Sequence, residues 1–93
     1  DGIFASSDLI AAQVIQVCNE IKIRIPEDIK LVGFDDVDIS QLTTPRITTV
    51  HQPIKEMARL SIELIDAKYN NIEVNEKNIL SIKLIIREST VNK

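Results

Sequence analysis

Apolar and polar residues come in blocks along this chain, and the blocks have two different periods. Ile3-Phe4-Ala5 is a short apolar run that ends at Ser6-Ser7 and predicts a buried strand. A helix should follow, with Ser6 or Ser7 as its cap, because a hydroxyl there accepts from an otherwise unpaired first-turn N–H. Asp8 adds negative charge at the positive end of that helix. Ile10, Val14, Val17, Cys18 and Ile21 recur at helical spacing and predict its inner face, with fading expected near Lys22. Pro26 makes Ile23 to Asp28 a connector. Ile29 to Phe34 is nearly continuous in apolar residues, as suits a parallel strand covered on both faces, and Asp35-Asp36 end it. Strand, helix and strand within about 30 residues make a βαβ unit.

Val37 to Ile47 is irregular, and Thr43-Thr44-Pro45 breaks any helix there. Thr48 to His51 predicts a third strand. Pro53 is placed for the first position of a second helix, whose inner face is Ile54, Met57, Ala58, Ser61, Leu64 and Ile65. A polar stretch from Asn70 to Asn78 forms a turn, and Ile79 to Ile86 predicts a last strand ending at Arg87-Glu88-Ser89-Thr90. The order is strand-helix-strand-loop-strand-helix-strand, an α/β class with a parallel sheet and flanking helices.

Composition narrows the function classes. The 93 residues carry a formal net charge of −3, and a chain with this acidic balance lacks the basic footprint of nucleic-acid binding. Aromatic residues are 3%, too few for a base-stacking platform. Cys18 is the single cysteine, which excludes an internal disulfide and suits a reducing compartment. No apolar run reaches the roughly 18–20 residues of a membrane helix.

In parallel α/β sheets, ligands bind beyond the carboxyl ends of the strands. The first strand delivers Ser6 and Ser7 there, and the second delivers Asp35 and Asp36. If the strands are neighbours, Ser7 and Asp35 open into one crevice, where a carboxylate accepting two hydroxyl protons is a natural sugar contact. The alternative is that Ser7 merely caps its helix and Asp35 the next turn. Other chemistry is poorly served. Asp35-Asp36 as an acid/base or Mg²⁺ pair would point to opposite faces. His51 is the only histidine and is expected to be a hydrogen-bonded structural residue; Cys18 is expected to be a small buried hydrophobe. Neither serine sits in a nucleophile elbow, and glycine is too scarce for a phosphate loop. No metal site, cofactor or enzymatic activity is therefore expected.

Six segments occur in a telling order: Phe4-Ala5-Ser6-Ser7-Asp8-Leu9-Ile10-Ala11-Ala12, Ile25-Pro26-Glu27-Asp28-Ile29, Val32-Gly33-Phe34-Asp35-Asp36, Leu42-Thr43-Thr44-Pro45, Thr48-Thr49-Val50-His51-Gln52-Pro53 and Arg87-Glu88-Ser89. The series resembles the carboxyl-terminal part of LacI/GalR-family transcriptional repressors, in their periplasmic-binding-protein-like (type I) effector-binding core. The resemblance implies a bacterial, cytoplasmic, sugar-responsive homodimer that reaches operator DNA through a helix-turn-helix headpiece with no counterpart here. It implies that residues 1 to about 48 and about 79–90 belong to the carboxyl-terminal lobe, with about 49–70 packing on the amino-terminal lobe. It assigns effector contact to Asp35 and to Ser7, where the family often has Asn, and dimer contacts to Ala12, Gln16 and the loop Ile39, Ser40, Gln41, Leu42 and Thr43. Two positions depart from the family pattern: Gln13 stands where a glycine is usual, which bears on the tight packing of the first helix, and Arg46 stands where a second proline is usual, which bears on the loop. A soluble sugar-binding protein of transport shares the fold and is the alternative; a basic helix-turn-helix or a secretory signal upstream would separate the two.

Overall fold

The computed structural model describes residues 1–91. Its elements are β1 (Gly2–Phe4), α1 (Asp8–Glu20), β2 (Lys30–Asp35), a 3-10 turn (Asp38–Gln41), β3 (Thr48–His51), α2 (Ile54–Tyr69) and β4 (Lys83–Ile85). The strands form one sheet in the order β1-β2-β3-β4. β1, β2 and β3 run parallel, with Ile3 beside Leu31 and Gly33 beside Thr49. β4 joins antiparallel, setting Lys83 beside His51, so the sheet is mostly rather than wholly parallel. The last strand is also shorter than the apolar run predicts, since residues 79–82 pair with no strand.

The chain divides into two compact units, residues 1–51 with 83 onward, and residues 52–82. In the first, α1 covers one face of the sheet. Ala5, Ala11, Ile15, Leu31 and Ile47 form the core, with Ile3, Ala12, Val14 and Ile25 packed around them. The buried stripe of α1 is thus Asp8, Ala11, Ile15 and Cys18. This corrects the expected inner face: Cys18 is inside, but Ile10, Val17 and Ile21 are exposed. Both stripes have helical spacing, and the one carrying Ala11 allows the closer approach to the sheet. Gln13 is exposed, so its length does not disturb α1 packing.

Alternation sends Phe4, Val32 and Phe34 to the opposite face. Phe4 is 69% exposed, against the expectation of a buried strand residue, and its ring lies 6.2 Å from that of Phe34. β2 is therefore covered fully on its α1 face and in part on the other.

In the second unit no residue of α2 is buried, and Ile54, Met57 and Ile65 of its expected inner face are exposed. Contiguous exposed apolar surface drives association. Expressed by itself, this chain should self-associate: sedimentation is expected to show a mass that rises with concentration. A strict monomer at every concentration is the contrary result.

Candidate functional site

Because β1 and β2 are parallel neighbours, their carboxyl ends open side by side. Ser7 follows β1 in extended conformation as the α1 cap, and its Oγ accepts from the Ile10 backbone N–H at 3.2 Å. That contact uses an oxygen lone pair and leaves the hydroxyl proton to donate. Asp35 ends β2 and is half-buried. The sheet thus brings Ser7 and Asp35 to the same edge, and Ser7 also fills the capping role that pattern alone allowed.

Asp35 and Asp36 have φ of 106° and 61°, two consecutive non-glycine residues in the positive region. This turns the chain sharply out of β2, so the opposite-face rule for strand neighbours does not govern Asp36. Asp36 is held inside the protein. Its Oδ1 accepts from Arg87 Nη2 at 2.9 Å, and its Oδ2 lies 2.9 Å from His51 Nδ1. Burial acts to raise its pKa, but the hydrogen bonds from Arg87, His51 and Ser40 and the Arg87 charge outweigh it, holding the carboxyl below the usual range. His51 is, as expected, a hydrogen-bonded residue.

Below this edge sits a carboxylate that the sequence pattern marks only as a helix-end charge. Asp8 is fully buried. Its Oδ1 accepts from Thr49 Oγ1 at 2.6 Å and its Oδ2 from the Val37 N–H at 2.8 Å. It joins α1, β3 and the segment after β2 beneath Ser7 and Asp35. Gly33 leaves the space it occupies, since a Cβ there would collide with Asp8 Oδ1. Nothing in the local pattern distinguishes this aspartate from an ordinary first-turn acid.

The loop assigned to dimer contact divides. Leu42 is 78% exposed, Gln41 is exposed, and Ile39 and Thr43 are half-buried. On α1, Gln16 is exposed and Ala12 half-buried. Ser40 departs from the assignment: it is fully buried, and its Oγ donates to the Val37 carbonyl at 2.8 Å and accepts from Arg87 Nη1 at 2.9 Å. Its hydroxyl is committed within the chain and offers nothing to a partner. Arg46, the departure from a proline, forms a two-bond pair with Glu88 at 2.7 and 3.0 Å.

Among the described residues, no group of three or more His, Cys, Asp or Glu is arranged to hold a metal ion, and no helix is long and apolar enough to cross a membrane. A cleft of about 400 Å³ lies in the second unit, lined in part by Met57, Leu60, Leu64 and Leu80, and includes neither Ser7 nor Asp35.

Residues 1–90 match the family described as periplasmic binding protein-like domain. The chain belongs to that family. Within it, this periplasmic binding protein-like chain is similar to LacI-type regulators. It is 40% identical over 90 residues to the HTH-type transcriptional regulator MalR of Clostridium butyricum, covering 97% of this chain and 27% of that protein. It is 35% identical over 91 residues to the ribose operon repressor of Halalkalibacterium halodurans, covering 97% of this chain and 28% of that protein. The structure of a periplasmic binding protein/LacI transcriptional regulator from Alkaliphilus metalliredigens, complexed with D-xylulofuranose, superposes with a TM-score of 0.89 at 36% identity, over 99% of this chain and 35% of that one. The periplasmic binding protein-like chain therefore spans under a third of the length of these two curated relatives.

Proposed function

We propose that these residues are the effector-sensing and dimerising portion of a bacterial, cytoplasmic LacI-type transcriptional regulator. A small molecule, foremost a sugar, binds at the edge carrying Ser7 and Asp35, and operator DNA is reached through a headpiece outside these 93 residues. The observation that carries this reading is the placement of Ser7 and Asp35 beyond the carboxyl ends of adjacent parallel strands. The Asp35 carboxylate accepts two sugar hydroxyls, while Ser7 donates its remaining proton to a sugar oxygen. The operon-repressor relatives and a sugar-bound neighbour support the same chemistry. Binding acts by shifting the population between two arrangements of the lobes, not by catalysis. Residues 1 to about 48 and about 79–90 are assigned to one lobe and about 49–70 to packing on the other; the structure divides close to these bounds, at 51/52 and 82/83, with 49–51 in the first unit and 79–82 in the second.

The test is a thermal-shift series on the full-length protein with D-ribose, D-xylulose, D-glucose and sucrose. A sugar at 100 times its dissociation constant is expected to add about 2.7 kcal/mol of stability. No shift with any of the four overturns the sugar reading.

The dimer surface is assigned to Ala12, Gln16, Ile39, Gln41, Leu42 and Thr43. Leu42 is the apolar anchor of an otherwise polar loop. Leu42→Asp in the full-length protein places a charge in an apolar contact and should weaken the dimer by about 2 kcal/mol or more. Sedimentation equilibrium giving an unchanged dimer constant would refute the assignment.

A further inference from the structure

A side chain makes the positive-φ region unfavourable, and such backbone persists where its surroundings over-determine it. At the end of β2 the determining contacts converge on Asp36, the residue after Asp35. The Asp36 backbone N–H donates to Thr49 Oγ1 at 3.3 Å, and its carboxylate meets His51 on one oxygen and Arg87 on the other. Arg87 does more than neutralise it. Nη1 of the same guanidinium donates to Ser40 Oγ at 2.9 Å and to the Ile47 carbonyl at 3.0 Å. The Arg87 and Asp36 side chains are 12% and 14% exposed. One largely buried fork, far from Asp36 in the sequence, thus ties together the turn out of β2, the 3-10 turn Asp38–Gln41 and the chain entering β3. A lysine ammonium is a point charge on a flexible stem and cannot reproduce this planar set of bonds.

We infer that Arg87 is a positioning residue for small-molecule recognition: through Asp36 it fixes the backbone of Asp35, and through Ser40 it holds the turn that leads to Leu42 in the same rigid piece. The inference rests on the proposed role of Asp35 as a contact for the small molecule. It gives the site and the exposed loop one mechanical anchor, so a displacement of either is felt by the other. Arg46 supplies the internal comparison, because its pair with Glu88 involves the same terminal segment but lies at the surface and reaches neither turn.

The experiment compares Arg87→Gln, Arg87→Lys and Arg46→Gln in the full-length protein. Hydrogen exchange is measured first, without sugar. Arg87→Gln is expected to speed exchange across residues 35–42 at least tenfold more than across α1, with Arg87→Lys intermediate, while Arg46→Gln changes nothing. Unchanged exchange over 35–42 overturns the inference, as does a uniform loosening that includes α1, which marks a general fold residue. Titration with D-ribose and D-xylulose follows. Arg87→Gln is expected to weaken whichever pentose the parent binds by about tenfold, the equivalent of one well-placed hydrogen bond. Parent-like affinity in a protein loosened at 35–42 overturns the inference. Asp35→Asn separates the two readings: if it leaves pentose affinity unchanged, the proposed site fails. If it abolishes binding while the arginine variants bind normally, the positioning role alone fails. Where the parent binds neither pentose, the exchange result decides.

Discussion

Gly33→Ala is expected to destabilise the fold by about 3 kcal/mol or more. The added Cβ collides with Asp8 Oδ1 and stands 3.0 Å from Ile47 Cγ2. A clash with the end of a side chain is cheap when that side chain can swing away, but Asp8 is fully buried and both its oxygens are engaged. Moving it strands Thr49 Oγ1 and the Val37 N–H, at about 1–3 kcal/mol for an unsatisfied buried group. Overpacking the Ile47 side costs about 1–3 kcal/mol more. Urea unfolding of parent and variant measures the sum. The double variant Asp8→Ala with Gly33→Ala should fall well short of the added single effects, since the first removes the atom that the second strikes. A Gly33→Ala protein within about 1 kcal/mol of the parent, less than overpacking alone predicts, would show that the carboxylate has another place to go.

Asp35→Ala should have its effect on binding rather than on folding. A carboxylate holding two sugar hydroxyls makes charge-assisted hydrogen bonds, and its loss forfeits these and leaves the donors of the sugar unpaired, roughly 2–4 kcal/mol together. Affinity for the bound sugar is then expected to drop by about 30- to 1,000-fold. Asp36→Ala should act mainly on folding, with the same loss of affinity of about tenfold that follows when the backbone of Asp35 loses its anchor. It leaves the mostly buried Arg87 guanidinium without its counter-charge, a loss of about 3–5 kcal/mol in stability. Sugar titrations and denaturant melts of both variants check the pair. If Asp35→Ala binds normally, or unfolds at markedly lower denaturant, Asp35 is a turn residue and not a contact.

The order of elements is legible in the sequence because it follows from contiguous apolar runs, their punctuation by Ser6-Ser7, Asp35-Asp36 and Pro53, and the helical spacing between them. Which face of α1 turns inward is not legible. Ile10, Val17 and Ile21 mark one flank as strongly as Ala11, Ile15 and Cys18 mark another, and the choice is made by how closely a helix can approach the sheet over Gly33. Ser7 and Asp35 could be picked out because strand ends are where such sheets bind ligands. Asp8 could not, since its partners Val37 and Thr49 lie 29 and 41 residues away. The same holds for Ser40, which looks like one more polar loop residue until Arg87 is brought against it from the far end of the chain.

Ser89 bears on how the protein is made. It is fully buried; its Oγ donates to the Leu31 carbonyl at 2.6 Å and accepts from the Thr48 N–H at 2.8 Å. Its own carbonyl takes the Leu31 N–H at 3.0 Å. The central strands of the first unit therefore wait for a residue 58 positions downstream of Leu31 before their polar groups are satisfied. At a ribosomal rate of about 5–20 residues per second, that is a delay of about 3–12 s between the synthesis of Leu31 and that of Ser89. During that interval the Leu31 carbonyl and N–H are without their Ser89 partners.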